Sequence, residues 1–261
     1  MKGKDPTIYY RLYLLVCLFF TMGCAFLYPY PDNIVGKIEK KLKEEGYLCN
    51  INWPDKVHIP FISKHTIYEV NVSRSCHDCD FCKVAVWGKD SIIVIKDVES
   101  FNEVLKAESL SVKNTKEAYE IVKSFLKDFR MPKCYTFLIL NSKNEIPGFS
   151  EISFNKEQKE YEKILEAPDS LGIFYPFKKA SKDDFEQEYV INRKLLINTK
   201  NILPPVITKK DNFYLIELYT WEEIFGKLTY YKWKVSSDGT MELLEKIEAR
   251  GIGKGVIPPS M

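Results

Sequence analysis

The chain has 261 residues, with 38 basic against 36 acidic side chains for a net charge of +2. A balance this even leaves no clustered basic face for nucleic acid, while 45% hydrophobic and 28% charged residues exclude wholesale disorder. The length suits one large domain or two small ones, either able to bury a sizeable core.

At the start, MKGKDPTIYYR places Lys2, Lys4 and Arg11 ahead of residues 12–28, LYLLVCLFFTMGCAFLY, which carry no charge. A basic start, an apolar stretch and small residues near its end make a signal-peptide pattern. The 17 uncharged residues lie at the lower edge of what a spanning helix needs. Gly23-Cys24 resembles the cleavage box of bacterial lipoproteins, in which a small residue precedes a cysteine that receives a diacylglyceryl group. Met22 and Thr21 stand where that box prefers a small residue and a leucine. The resemblance implies lipidation at Cys24, and the chain as a whole then looks like a bacterial lipoprotein-like exported protein.

Three readings of this segment compete: lipid-anchored export, an uncleaved signal anchor, and a buried helix of a soluble protein. The first two agree that the basic flank stays inside and everything after Pro29 lies outside. Both give a membrane-anchored, extracytoplasmic protein of the cell envelope. YPYPDN, at 28–33, is then a short stiff tether.

Asp32 or Asn33 caps a helix with apolar positions Ile34, Val35, Ile38 and Leu42 and a stop at Gly46. From Tyr47 the period changes. YLCNINW, KVHIPFI, HTIYEVNV, KVAVWG and SIIVIKD read as short strands, with Gly88-Lys89-Asp90 as a hairpin turn. NTKEAYEIVKSFLKDFR is the best-formed helix, with Asn114 or Thr115 at its start, an apolar stripe of Ala118, Ile121, Val122, Phe125 and Phe129, and Pro132 beyond its end. CYTFLIL, at 134–140, reads as a fully buried strand, and NKEQKEYEKILEA as a surface helix. APDSLGIFYPFKKASKDD reads as a long loop, and DFEQEYVINRKLLIN fits helix or strand.

The end of the chain gives three strands, NFYLIELYTW, LTYYKWKV and MELLEKIEA, joined by EEIFGK and by Ser236-Ser237-Asp238-Gly239. Thr229, Tyr231, Trp233 and Val235 share one face; Tyr230, Lys232 and Lys234 share the other, as in an antiparallel sheet with one covered face. The expected class is α+β, helices packed on antiparallel sheets. The expected division is anchor 1–28, tether 29–33, a helix-plus-meander unit 34–110 that carries a cysteine cluster, and an α+β unit 111–261, meeting near 100–112. KEAYEIVKSFL followed by YLIELYTW and YYKWKVSSDGT resembles uncharacterised secreted bacterial domains of unknown function over roughly the last 150 residues. That resemblance implies no activity.

Most catalytic motifs fail on spacing. GIGKG at 251–255 lacks the four-residue gap, the Ser or Thr, and the following helix of a phosphate loop, so no nucleotide is expected. GFSEI at 148–152 lacks the closing glycine of a nucleophile elbow. His58, His65 and His77 stand in no HExxH frame, and Asp183, Asp184, Glu186 and Glu188 read as a solvated charge run. Asn71-Val72-Ser73 is a sequon, frequent by chance.

SCHDCDFCK, at 75–83, survives. An exported protein is oxidised, so the leading reading of Cys49, Cys76, Cys79, Cys82 and Cys134 is structural disulfides, with one thiol left over from five. The alternative is a zinc-binding or thiol–disulfide redox site on Cys76, Cys79 and Cys82, with His58 or His65 as a fourth zinc ligand. The leading function is a non-catalytic binding or structural module. Its expected partners are the membrane, through the N-terminal segment, and an envelope protein.

Overall fold

The computed structural model describes residues 32–47, 54–73, 79–88, 91–129, 136–166, 182–199 and 202–255. Helices and two antiparallel sheets make it an α+β protein. Helix α1 (Asp32–Glu44) buries Ile38 and Leu42 completely, as the helical spacing of its apolar positions predicts. It stops at Gly46, whose φ of +83° lets the Tyr47 N–H donate back to the Leu42 carbonyl at 3.0 Å.

The first sheet contains β1 (Asp55–Val57), β2 (Thr66–Ser73), β3 (Cys79–Trp87) and β4 (Ser91–Ile95), in that order and all antiparallel. Alternation along the strands sorts its faces. Tyr68, Val70, Cys82, Val84, Val86 and Val94 pack under α1, while Ile67, Ala85 and Ile95 join the core on the other side. KVHIPFI gives β1 only Lys56 and Val57, because the chain turns at Pro60 and the Ile62 N–H bonds the Ile59 carbonyl at 3.0 Å. The expected strand 47–53 lies mostly outside the described residues. β3 begins four residues earlier than expected and takes in Cys79 and Cys82, and the sequon lies in β2 opposite Cys79, Asp80 and Phe81.

Helix α2 (Val98–Glu108) did not stand out in the sequence. A capping box starts it: the Asp97 side chain accepts from the Ser100 N–H at 2.9 Å and the Ser100 hydroxyl reaches back to the Asp97 N–H at 3.1 Å. Helix α3 (Thr115–Ser124) is capped by Asn114, whose Oδ1 accepts from the Glu117 N–H at 3.0 Å, and it runs on through a wider turn, Phe125–Phe129. Phe101, Val104, Leu105, Ala118, Ile121, Val122 and Phe125 from these helices are all buried in one core between the two sheets.

The second sheet pairs β5 (Phe137–Leu140), β7 (Phe213–Glu222), β8 (Lys227–Ser236) and β9 (Met241–Ala249) in that order, and β6 (Val206–Lys209) also pairs with β7. Tyr231, Trp233 and Val235 do share one face and are at most 1% exposed, packed with Tyr214, Ile216 and Leu218 against the helical layer. The opposite face is covered as well. Tyr219, Trp221, Leu228 and Tyr230 meet Phe154 of α4 (Glu151–Glu166) and Leu196 and Ile197 of the helical stretch 182–199, here α5. The ambiguity of DFEQEYVINRKLLIN therefore resolves to helix, including wider turns at Glu186–Ile191 and Leu195–Thr199. β5 is only half-buried over its first three residues, not fully buried as expected, because it pairs with β7 on one side alone among the described strands.

The layers thus run α1, first sheet, α2 and α3, second sheet, α4 and α5. Among the described residues no helix is long and apolar enough to cross a membrane; residues 12–28, including Cys24, lie outside them.

Candidate functional site

Cys24, Cys49, Cys76, His77 and Cys134 lie outside the described residues, and of Cys79 only the backbone, paired with Ser73, is described. Cys82 is 5% exposed in the apolar layer under α1, its Sγ 3.7 Å from the Lys83 carbonyl. His65 and His58 are not its neighbours. Cys82 pairs with Val70, five residues along β2 from His65, a distance of about 17 Å at strand rise. His58 is exposed just past β1, on the far side of β2 from β3. A zinc ion on Cys82 therefore cannot take either histidine as a ligand, which corrects that pairing. Among the described residues no three His, Cys, Asp or Glu side chains group to hold a metal.

His65 belongs instead to a buried clamp built on Glu108, the last residue of α2. Both side chains are 0% exposed, with Nδ1 of His65 2.7 Å from Oε1 of Glu108. The carboxylate also accepts the backbone N–H groups of Ser63 at 2.8 Å, Lys64 at 2.9 Å and His65 at 2.9 Å, and the Ser63 hydroxyl at 3.1 Å. Burial opposes ionisation of Glu108, but the hydrogen bonds from His65, Lys64 and Ser63 outweigh it and hold its carboxyl down to about 2. An ionised carboxylate only accepts, so Nδ1 carries the proton that it donates to Glu108. Nε2 is buried without a hydrogen-bond partner among the described residues, and the His65 and Trp87 ring centroids lie 5.7 Å apart.

This clamp ties the turn before β2 to the end of α2, and those two segments continue into the walls of an open groove. Its volume is about 580 Å³, and Pro60, Phe61, Leu110, Val112 and Ile121 give it apolar walls. Lys113, Lys116, Glu117 and Glu120 add charges of both signs along α3 and its approach. An apolar cleft with a mixed-charge border suits a binding surface.

A second buried charge lies between the first sheet and α3. Lys83 and Glu69, cross-strand partners on β3 and β2, are each 4% exposed and form an ion pair. Asp128, beyond the end of α3, sits near Lys83; burial pushes its carboxyl up, against the pull of Lys127, Ser124 and Lys83. Paired in this way, Lys83 satisfies the rule that a buried charge needs a partner.

The third is Arg193 of α5, fully buried. Nη1 donates to the carbonyls of Arg250 (3.0 Å) and Gly251, Nε to Gln158 at 3.1 Å and Nη2 to Glu157 at 3.3 Å, with the rings of Phe154 and Tyr161 both 4.8 Å away. It thereby holds GIGKG, which is a structural strap. The Ile252 carbonyl accepts from Trp221 Nε1 at 2.7 Å, and the Lys254 N–H bonds the Pro147 carbonyl at 2.7 Å. A Cβ on Gly253 would stand 2.5 Å from that same carbonyl, so only glycine fits this approach. In the acidic run, Asp183, Asp184 and Glu186 are exposed, while Glu188 pairs with Arg250 at 2.6 Å.

Scans against protein-family models, curated proteins and solved structures each found no match for this chain.

Proposed function

We propose that this chain is an exported, membrane-tethered protein with a non-catalytic binding or structural role in the cell envelope. The observation that carries the reading is the basic flank Lys2, Lys4 and Arg11 followed by the uncharged residues 12–28 with Gly23-Cys24 inside them. The described fold is compatible with that role. Glu108 is engaged by three backbone amides, Arg193 by two backbone carbonyls and Lys83 by Glu69, so these buried charges serve the scaffold. The groove beside Phe61 and α3 is the surface that such a scaffold presents to an envelope partner.

Intact mass of the natively expressed protein tests the reading. A mature chain that starts at Cys24 with added acyl mass supports lipid-anchored export, and a membrane-bound chain that retains 1–23 supports the signal anchor. A full-length chain recovered from the soluble fraction with every cysteine reduced overturns both. Zinc in stoichiometric amount in the same preparation would instead favour a metal site on Cys76 and Cys79.

A further inference from the structure

The outer face of α1 combines charge with position. Its inner face is fixed against the first sheet by Ile38 and Leu42, both 0% exposed. That leaves Lys37, Lys40 and Lys41 turned away from the core, around a depression of about 380 Å³ bounded by Ile92 of β4 and by Glu44. Three ammonium groups against one carboxylate make this a cationic hollow. Lys41 also lies 3.2 Å from Glu45, which Lys96 contacts too, so the lysines keep their numerical excess when the surrounding residues are included.

The second observation is where the chain before α1 ends. Residue 28 closes the uncharged run and Asp32 opens α1. Four peptide steps reach at most about 14 Å, and the eight steps from Cys24 at most about 28 Å. On the tethered reading, the start of α1 therefore stays within about two Debye lengths of the bilayer surface in the signal-anchor form and within about three to four in the lipidated form, a leash short enough to let its lysines reach anionic lipid.

From these two observations we propose that the Lys37, Lys40 and Lys41 face of α1 is a membrane-contacting surface that takes the phosphates of anionic lipid headgroups. The proposal rests on the tethered reading and adds an orientation to it. α1 lies against the bilayer, and the rest of the molecule stands away from it. Lysine suits the role because its four-carbon stem can lie along the helix while the ammonium group reaches a phosphate.

The test uses the full-length chain reconstituted in vesicles of phosphatidylcholine alone, or with about a third phosphatidylglycerol. Flotation with the neutral vesicles in high salt reports the anchor by itself. Acylation of lysines by a charged amine reagent, read by peptide mass spectrometry, reports the face. The proposal expects acylation of Lys37, Lys40 and Lys41 to fall severalfold on the anionic vesicles relative to the neutral ones, with Lys159 and Lys209 unchanged. It expects salt to abolish the difference. It expects Lys96, beside this face through Glu45, to share the protection on anionic vesicles and to lose it in the triple variant Lys37→Gln, Lys40→Gln, Lys41→Gln.

Equal acylation on both vesicles overturns the proposal, and so does protection by inorganic phosphate on neutral vesicles, which would mark a soluble-anion site. A chain that fails to float on neutral vesicles overturns the anchor. The face then stands only if flotation on anionic vesicles is salt-sensitive and drops by about fivefold per lysine removed, and it falls if that dependence is missing. Lys40→Glu alone keeps the other two lysines and covers the case in which the triple variant misfolds.

Discussion

The two halves of the molecule tie down their loops with opposite charges. In the first, the anion of Glu108 gathers backbone N–H groups from residues 63–65; in the second, the cation of Arg193 gathers backbone carbonyls from residues 250 and 251. The logic is the same, since each buried charge is satisfied by main chain and not left to a single counter-ion. The chemistry differs in one respect. A carboxylate can be discharged by acid, whereas a guanidinium keeps its charge throughout the working range. The first half is therefore acid-sensitive at a point where the second is not. Lys83 and Glu69 are a third case, two side chains that satisfy each other.

The largest effect is expected at Arg193. Its replacement by Met leaves the Arg250 and Gly251 carbonyls without their donor and Glu157 without its ion pair, and about 4 kcal/mol of unfolding free energy should be lost in urea titration. Glu108→Ala comes next, at about 3 kcal/mol, since three amides and His65 lose one acceptor. The pH dependence follows from the same group. Its carboxyl lies at about 2 in the folded protein against 4.5 in the unfolded chain. The stabilisation, about 3 kcal/mol, is complete above 4.5 and disappears as pH falls through 2. Hydrogen exchange should show the amides of 63–65 losing protection across that interval while those of Gly251 and Ile252 keep theirs. Equal loss at both places would break the comparison.

At the ion pair, Lys83→Met alone should cost about 3 kcal/mol by stranding Glu69, while Lys83→Met with Glu69→Leu should return most of it. A double variant as weak as the single would mean that the pair gives more than mutual satisfaction. The smallest effect is expected on the surface. Lys234 and Glu242 stand 2.8 Å apart across β8 and β9 with both side chains exposed, and Lys234→Ala should shift stability by no more than about 0.5 kcal/mol.

Much of the scaffold was legible because it follows simple periods. The stripe Ala118, Ile121, Val122, Phe125 marked α3, and the alternation Tyr231, Trp233, Val235 marked β8. Helix α2 was missed because its capping box closes with Ser100 in place of a Glu or Gln, and because its apolar positions follow a strand directly. β6 was missed as four residues after a proline pair. The covered second face of the last sheet could not be read from β8, since Tyr230 is buried by α4 and α5 and not by anything in its own strand.

The site was less legible still. His65 drew notice as a metal ligand, but its partner is one of 36 acidic residues and meets it across more than forty positions. No local spacing encodes such a contact. Arg193 did not stand out in a stretch that fits helix or strand, because its acceptors are carbonyls of the glycine strap more than fifty residues on. The expected division at about residue 110 also meets a shared core, since Ile59 to Leu126 and Tyr214 to Met241 contribute to one cluster.

That shared core carries a consequence for how the chain comes to be folded. A polypeptide made amino end first presents α1, the first sheet, α2 and α3 well before β7, β8 and β9 exist. The inner faces of α2 and α3 have no second sheet to close on until residues 214–241 arrive, and Arg193 has no carbonyls to hold until 250 and 251 follow. Assembly thus waits for nearly the last residues, and the early half spends that interval with apolar helix faces uncovered. A holding chaperone would find its natural substrate in that interval.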